Sequence, residues 1–96
     1  MGIREEILIE IRQAKPGLAK KYKVKSIALF GSLARNEGTP ESDIDILVDF
    51  SEPIGIEFVY LSDELETILK RKVDLVSRTG VKDHYYKQIE KDLIYA

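Results

Sequence analysis

The feature that most constrains this fold is a pair of apolar segments joined by a short polar connection. Residues 27–30 form an apolar run of strand length, which stops at Gly31 and Ser32. A short helix-compatible stretch and a loop with Gly and Pro follow, and a second apolar run over residues 43–49 begins with two aspartates. The pattern therefore predicts two strands whose ends carry the polar residues.

The second run places two carboxylates side by side. Side chains alternate across a β-strand, so we expect Asp43 and Asp45 on one face while Ile44, Ile46 and Val48 pack on the other. Two neighbouring carboxylates repel each other, which raises a pKa unless a positive charge lies between them. A hard divalent cation is the usual solution, so the pattern predicts Mg²⁺.

The Gly-Ser pair is suited to bind an anion. Gly31 allows a turn or a close backbone approach that a side chain would block, and Ser32 is expected to open a helix. The free N–H groups and the dipole of a helix start favour phosphate. Each pattern alone has a simpler interpretation, because Gly-Ser is commonly a turn and Asp-x-Asp is commonly a solvated strand face. Together they predict phosphate donors and metal ligands on adjacent strands.

The two motifs resemble a known signature. Gly31-Ser32, then ten residues, then Asp43-Ile44-Asp45 is similar to the signature of the nucleotidyltransferase superfamily that includes DNA polymerase beta. The stretches 31–35 (Gly-Ser-Leu-Ala-Arg) and 42–48 (Ser-Asp-Ile-Asp-Ile-Leu-Val) resemble the minimal nucleotidyltransferase (MNT) proteins, which pair as antitoxins with HEPN toxins. The resemblance covers nearly the whole chain. It implies an α/β (α+β) fold, a small mixed β-sheet with helices packed on it, in one domain over residues 1–96.

A third carboxylate follows on the next predicted strand. Apolar residues recur at helical intervals over residues 56–70, and residues 73–76 are strand-like, which together predict a strand–helix–strand crossover. The residues alone favour the interpretation of Asp74 as a carboxylate at a strand end without a role. In the superfamily, however, a third carboxylate lies on a later strand after such a helix, and Asp74 matches that position.

The resemblance implies that this chain transfers a nucleotidyl group from ATP. Three carboxylates would hold two Mg²⁺ ions: Asp43, Asp45 and Asp74. Gly31 and Ser32 would bind the β- and γ-phosphates. Arg35 lies one turn farther on, where its cationic fork suits either a phosphate or a carboxylate. Asn36 stands where MNT sequences often have Gly, and Asn tolerates left-handed backbone geometry.

The acceptor that the resemblance implies is a protein. MNT antitoxins place AMP on a tyrosine of a HEPN toxin, so we expect such a toxin as partner and a hetero-oligomer. Two alternatives remain open. The chain could be an antitoxin subunit that binds nucleotide and partner without turnover, or it could transfer a nucleotidyl group to a small molecule, which would need further pocket-forming sequence.

The composition argues against several other classes. A length of 96 residues, 44% hydrophobic and 33% charged, is typical of one globular domain. The net charge of −2 leaves no basic excess, which disfavours direct binding of nucleic acid. The chain has no cysteine, no apolar run of membrane-spanning length and no apolar signal core, so we expect a cytoplasmic protein without disulfides.

The flanking segments are expected to be helical. Residues 3–14 carry apolar side chains at helical spacing, and Pro16 and Gly17 are expected to interrupt that helix. A last helix is expected over residues 81–95, packed on the sheet or on a partner. His84 is the only histidine and has no second His or Cys near it in sequence, so it is expected on the surface rather than at a metal.

Overall fold

Four strands and four helices make up residues 2–96, the part of the chain that the computed structural model describes. In chain order the elements are helix α1 (Ile3–Tyr22), strand β1 (Val24–Phe30), the short helix α2 (Gly31–Ala34), strand β2 (Ile44–Phe50), helix α3 (Glu57–Leu69), strand β3 (Val73–Ser77), a 3₁₀ turn (Arg78–Gly80), helix α4 (Asp83–Glu90) and strand β4 (Ile94–Tyr95). The strand order is β3-β2-β1-β4. Only β2 and β3 are parallel, and the other two pairs are antiparallel. This mixed sheet with packed helices confirms the predicted fold class.

The main core lies between one face of the sheet and helices α1 and α3. On β2, Ile44, Ile46 and Val48 are fully buried, which is the alternation that the sequence predicts. Helix α3 buries Leu61 and Leu65 against them, at the spacing of one helical face. Each such side chain contributes about 1.5–3 kcal/mol when it leaves water. This burial fixes the crossover that makes β2 and β3 parallel.

Helix α1 continues through Pro16, so the predicted interruption is wrong. A proline inside a helix lacks the N–H that would bond the carbonyl of Arg12. Pro16 is exposed, however, so water can reach that carbonyl. Beyond it, Leu18 and Tyr22 continue the apolar stripe and are 2% and 7% exposed. Their burial stabilises the second half of the helix and offsets the missing bond.

The predicted helix over residues 81–95 is wrong at its end. Helix α4 ends at Glu90, and β4 then pairs antiparallel with residues 28–29 of β1. The N–H of Ala96 also donates to the carbonyl of Ile27 at 2.9 Å. Without β4 this edge of β1 would expose unpaired backbone groups, and two residues of strand are enough to cover part of it.

Helix α4 packs on the second face of the sheet. Its Ile89 joins Phe30, Leu47 and Val81 in a smaller buried cluster. This face also carries Asp45, so α4 covers part of the face on which the carboxylates lie. His84 is exposed at the start of α4, as predicted. No helix within residues 2–96 is both long and apolar enough to cross a membrane.

Candidate active site

The predicted carboxylates meet at one end of the sheet. Strand β2 begins at Ile44, directly after Asp43, and the parallel pairing of β2 with β3 puts Asp45 opposite Asp74. Side chains of residues that lie opposite each other in a sheet share a face, so these two carboxylates are neighbours. Asp43 lies two residues before Asp45 and follows the same alternation. The tertiary pairing therefore brings the third aspartate to the first two.

Asp45 has the most perturbed environment of the three aspartates. Its side chain is partly buried, whereas Asp43 and Asp74 are exposed. Burial raises the pKa of Asp45 above its ordinary value, and repulsion from Asp74 and Asp43 raises it further. The cation of Arg35 opposes these effects only weakly. Negative charge is thus concentrated where a bound cation would relieve it.

The backbone of Gly31 lies directly against Asp45. Phe30, the last residue of β1, pairs with Asp45, so the turn that follows β1 passes beside the carboxylate. Gly31 has a φ of +78°, and a Cβ built there would lie 2.2 Å from Oδ2 of Asp45. Both the left-handed backbone and the close approach require glycine. Gly31 therefore has the close backbone approach that the sequence predicts, and its expected role in binding phosphate stays a prediction.

Ser32 lies within a helix of only four residues. Helix α2 runs from Gly31 to Ala34, and its first N–H groups have no partner inside the helix. So short a helix has little dipole, so a phosphate would be bound by these N–H groups and the Ser32 hydroxyl. Asn36 follows with a φ of +62°, which is the left-handed geometry expected for a residue at a Gly position.

Gly31, Ser32, Arg35 and Asp45 line one cleft of about 380 Å³. Helix α4 and the residues after it supply the opposite wall, which includes Tyr85, Gln88 and Asp92. These three residues recur at helical spacing in the sequence, but nothing in that spacing links them to the Gly-Ser motif. Asp43 and Asp74 do not line this cleft.

Arg35 binds carboxylates in this structure. Its Nε donates to Oε1 of Glu37 at 2.7 Å, and its Nη1 donates to Oδ2 of Asp92 at 2.6 Å. Of the two roles that the sequence allows, pairing with a carboxylate is the one observed. The side chain is 46% exposed, and exposed ion pairs contribute about 1 kcal/mol or less. The pairs therefore leave Arg35 available to an incoming phosphate.

A larger hollow of about 580 Å³ lies elsewhere, between the end of β2 and the 3₁₀ turn. Its walls are largely apolar and include Phe50, Pro53, Ile54 and Phe58. None of the three aspartates lines it. Asp45 instead lines the smaller cleft, and Asp74 lies opposite Asp45 on the neighbouring strand.

The donor set fits Mg²⁺, although it is not a closed cage. Across residues 2–96, no three acidic, histidine or cysteine side chains form a ready-made metal site. Mg²⁺ commonly binds one or two carboxylates and keeps its remaining positions for water and substrate phosphate. A partly buried Asp45 beside two exposed aspartates would offer carboxylate oxygens to such a cation, and water or a phosphate would fill its remaining positions.

Comparison with known proteins gives a consistent set of relatives. Residues 11–96 match the family model of the nucleotidyltransferase domain. A candidate protein adenylyltransferase of Methanocaldococcus jannaschii is 50% identical over 97 residues, which span 99% of each chain.

Two solved structures are also similar. A candidate minimal nucleotidyltransferase is 32% identical, with a TM-score of 0.80 over 98% of this chain and 95% of the other. A toxin–antitoxin structure with AMP-PNP is 26% identical, with a TM-score of 0.70 over 96% of this chain and 70% of the other.

Proposed function

Since this chain belongs to the nucleotidyltransferase family, we propose that it is a Mg²⁺-dependent protein adenylyltransferase. We infer that it acts as an antitoxin, transferring AMP from ATP to a tyrosine of a partner HEPN toxin and so neutralising it. The observation that carries the proposal is the placement of Asp45, which lies opposite Asp74 and against the backbone of Gly31.

The names of similar proteins support the class of reaction. One relative is described as a candidate protein adenylyltransferase, and one similar structure is a toxin–antitoxin pair that holds an ATP analogue. The exposure of Asp43 and Asp74 agrees with an acceptor that is another protein, because a macromolecule can reach carboxylates at the surface. The tyrosine and the metal are inferred from the resemblance to MNT antitoxins.

Each residue has a task in the proposed transfer. The acceptor oxygen would attack the α-phosphorus while the bond from that phosphorus to the bridging oxygen of pyrophosphate breaks. Mg²⁺, held by Asp43, Asp45 and Asp74, would supply charge stabilisation for the attacking and leaving oxygens. The hydroxyl proton must leave during the attack, and the exposed carboxylates are available acceptors.

The phosphate-binding segment favours transfer of AMP over transfer of the γ-phosphoryl group. A P-loop has a longer Gly-rich turn that ends in Gly-Lys-Ser/Thr, and no lysine follows Ser32. The Gly31–Ser32 segment would instead hold the terminal phosphates through backbone N–H groups. The α-phosphate would then lie toward the aspartates, because Asp45 adjoins Gly31.

Labelled ATP tests the reaction. The protein, Mg²⁺ and a copurified partner are incubated with ATP labelled at either the α- or the γ-phosphate. Label should enter the partner only from the α position, and EDTA or Asp43→Asn should prevent it. Asp63→Asn removes one exposed carboxylate of α3 and is the matched control, which should keep activity. Label from the γ position would refute the mechanism, and no label from either would favour the non-catalytic antitoxin subunit.

The identity of the partner is tested separately. The chain is expressed alone and together with the product of its neighbouring open reading frame, and both samples are measured by size-exclusion chromatography with light scattering. We expect a hetero-oligomer, in which mass spectrometry should find AMP on a tyrosine of the partner. A chain that ignores its neighbour would contradict the antitoxin role and leave the alternative of transfer to a small molecule.

A further inference from the structure

The side chain of Arg71 holds the turn that precedes the first aspartate. Its Nη2 donates to the carbonyl oxygen of Thr39 at 2.9 Å and to that of Ser42 at 3.2 Å, and it also contacts the carbonyl oxygen of Pro40. Arg71 lies between α3 and β3, far from this turn in sequence. Three carbonyl groups of one turn therefore converge on one guanidinium.

Hydrogen bonds within the turn fix the orientation of those carbonyl groups. The N–H of Ser42 donates to the carbonyl of Thr39 at 3.0 Å, and the N–H of Thr39 donates to Oγ of Ser42 at 2.9 Å. A closed turn of this kind cannot satisfy all of its own carbonyls. The guanidinium satisfies them from outside, with charge-assisted bonds that are stronger than neutral ones.

Asp43 lies between two attachments to the same short segment. It precedes β2 and is exposed, so neither the sheet ladder nor burial holds it directly. On one side of it, Ser42 is bound by the Arg71 side chain. On the other side, the N–H of Ile44 donates to the carbonyl of Lys72 at 2.9 Å. Residues 71–72 thus fix the backbone on both sides of Asp43.

The same segment leads directly into the strand that carries Asp74. Val73 opens β3 and pairs with Ile44, and its N–H also donates to Oε2 of Glu66 at 2.9 Å. The position of Asp43 relative to Asp74 is therefore set over a few residues rather than through the whole sheet. A change in this segment would shift the carboxylate of Asp43 relative to that of Asp74.

We propose that Arg71 is a positioning residue of the carboxylate site. By binding the carbonyls of the turn over residues 39–42, it holds Asp43 in register with Asp45 and Asp74 and so sets the affinity of the site for a divalent cation. The inference rests on the proposed function, since it takes the three aspartates as a cation site. Arg71 acts through Asp43 and has no contact with substrate in this role.

Loss of the Arg71 charge and loss of its hydrogen bonds to the turn should change the affinity of the site for a cation in opposite directions, so the two effects can be distinguished. Removing the Arg71 charge, which lies against Ser42, the residue next to Asp43, would by itself strengthen the binding of another cation at the site, because a like charge has gone. Loss of the hydrogen bonds from Arg71 to the turn would weaken cation binding, because the backbone on one side of Asp43 would no longer be fixed. In Arg71→Ala the proposal therefore predicts weaker cation binding in spite of the lost positive charge.

Binding of Mn²⁺ to the full chain, measured by titration calorimetry without nucleotide, is the experiment. We expect Arg71→Ala to bind Mn²⁺ about 10-fold more weakly, the loss typical of residues that orient metal ligands. The Mn²⁺ affinity of Arg71→Lys should lie between those of the parent and Arg71→Ala, because an ammonium group can reach fewer of the carbonyls. Arg12→Ala, which removes the same charge from the exposed face of α1, should bind as the parent does.

Amide hydrogen exchange provides a readout without metal. The N–H of Ser42 should exchange faster in Arg71→Ala than in the parent. Should Arg71→Ala fail to fold, Ser42→Ala keeps Arg71 but removes the acceptor of the Thr39 N–H, and a smaller loss of Mn²⁺ affinity is expected. Equal or tighter binding by the folded variants would overturn this inference alone. A parent chain that binds no Mn²⁺ would overturn the proposed metal site and this inference together.

Discussion

Replacement of Gly31 by alanine should damage both stability and activity, for two separable reasons. The residue has a φ of +78°, and a left-handed conformation costs a residue with a Cβ about 1–2 kcal/mol. The new Cβ would also lie 2.2 Å from Oδ2 and 3.0 Å from Cγ of Asp45. The carboxylate must move, and an overpacked site of this kind costs about 1–3 kcal/mol more.

The total loss is therefore about 2–5 kcal/mol of the free energy of unfolding. In a domain of this size each kcal/mol lowers the melting temperature by about 4–8 °C. We expect Gly31→Ala to melt at least about 8 °C below the parent when no metal is present. Urea denaturation measures the same loss at constant temperature. The transfer of AMP should fall with it, because Asp45 is displaced.

A double-mutant cycle separates strain from contact. In the Asp45→Ala background the carboxylate is gone, so Gly31→Ala should cost only the backbone strain of about 1–2 kcal/mol. Asn36→Ala is the matched control, because Asn36 also has a positive φ but does not line the cleft that Asp45 lines. It should lose some stability and keep activity. An equal cost of Gly31→Ala with and without the Asp45 carboxylate would refute the contact argument.

Three further predictions concern other residues. Asp43→Asn with Asp45→Asn should abolish transfer yet melt above the metal-free parent. Because the pKa of Asp45 is raised in the folded protein, its carboxyl adds stability only at low pH, and this stability is lost as the pH rises through the folded-state pKa. The melting temperature of the double variant should therefore exceed that of the parent by more as the pH rises through this pKa. A variant that melts below the parent at neutral pH would show that the aspartates are structural. Asp74→Asn should be as inactive but keep more affinity for Mg²⁺-nucleotide, because we assign Asp74 chiefly to the Mg²⁺ that activates the nucleophile and Asp43 and Asp45 to the Mg²⁺ of the triphosphate. Equal losses of affinity in binding assays would contradict this assignment. Pro16→Ala should raise the free energy of unfolding by up to about 3 kcal/mol in urea titrations, because the carbonyl of Arg12 regains its partner, and an unchanged value would show that the bond contributes nothing.

Much of the site could be predicted from local sequence. The alternation of Ile44, Ile46 and Val48 with Asp43 and Asp45 follows from the two-residue period of a strand, and the structure buries these three apolar residues completely. The close backbone approach at Gly31 follows from the lack of a side chain. These inferences depend on neighbours within a few residues, which is the range over which backbone geometry acts.

Periodicity alone was not sufficient at the two ends of the chain. The apolar spacing after Pro16 was present in the sequence, but only packing against the core decides that burial of Leu18 and Tyr22 outweighs one lost hydrogen bond. Likewise, β4 has two residues, too few for a pattern, and exists because β1 offers an edge.

The relations between distant residues were decided by the tertiary structure. Asp74 lies beside Asp45 because burial of α3 makes β2 and β3 parallel. Asp92 reaches Arg35, and Arg71 reaches the turn before Asp43, over long separations along the chain. No local preference encodes such contacts. They arise when apolar faces pack and unpaired carbonyls and charges then find the partners that the packed core has brought within reach.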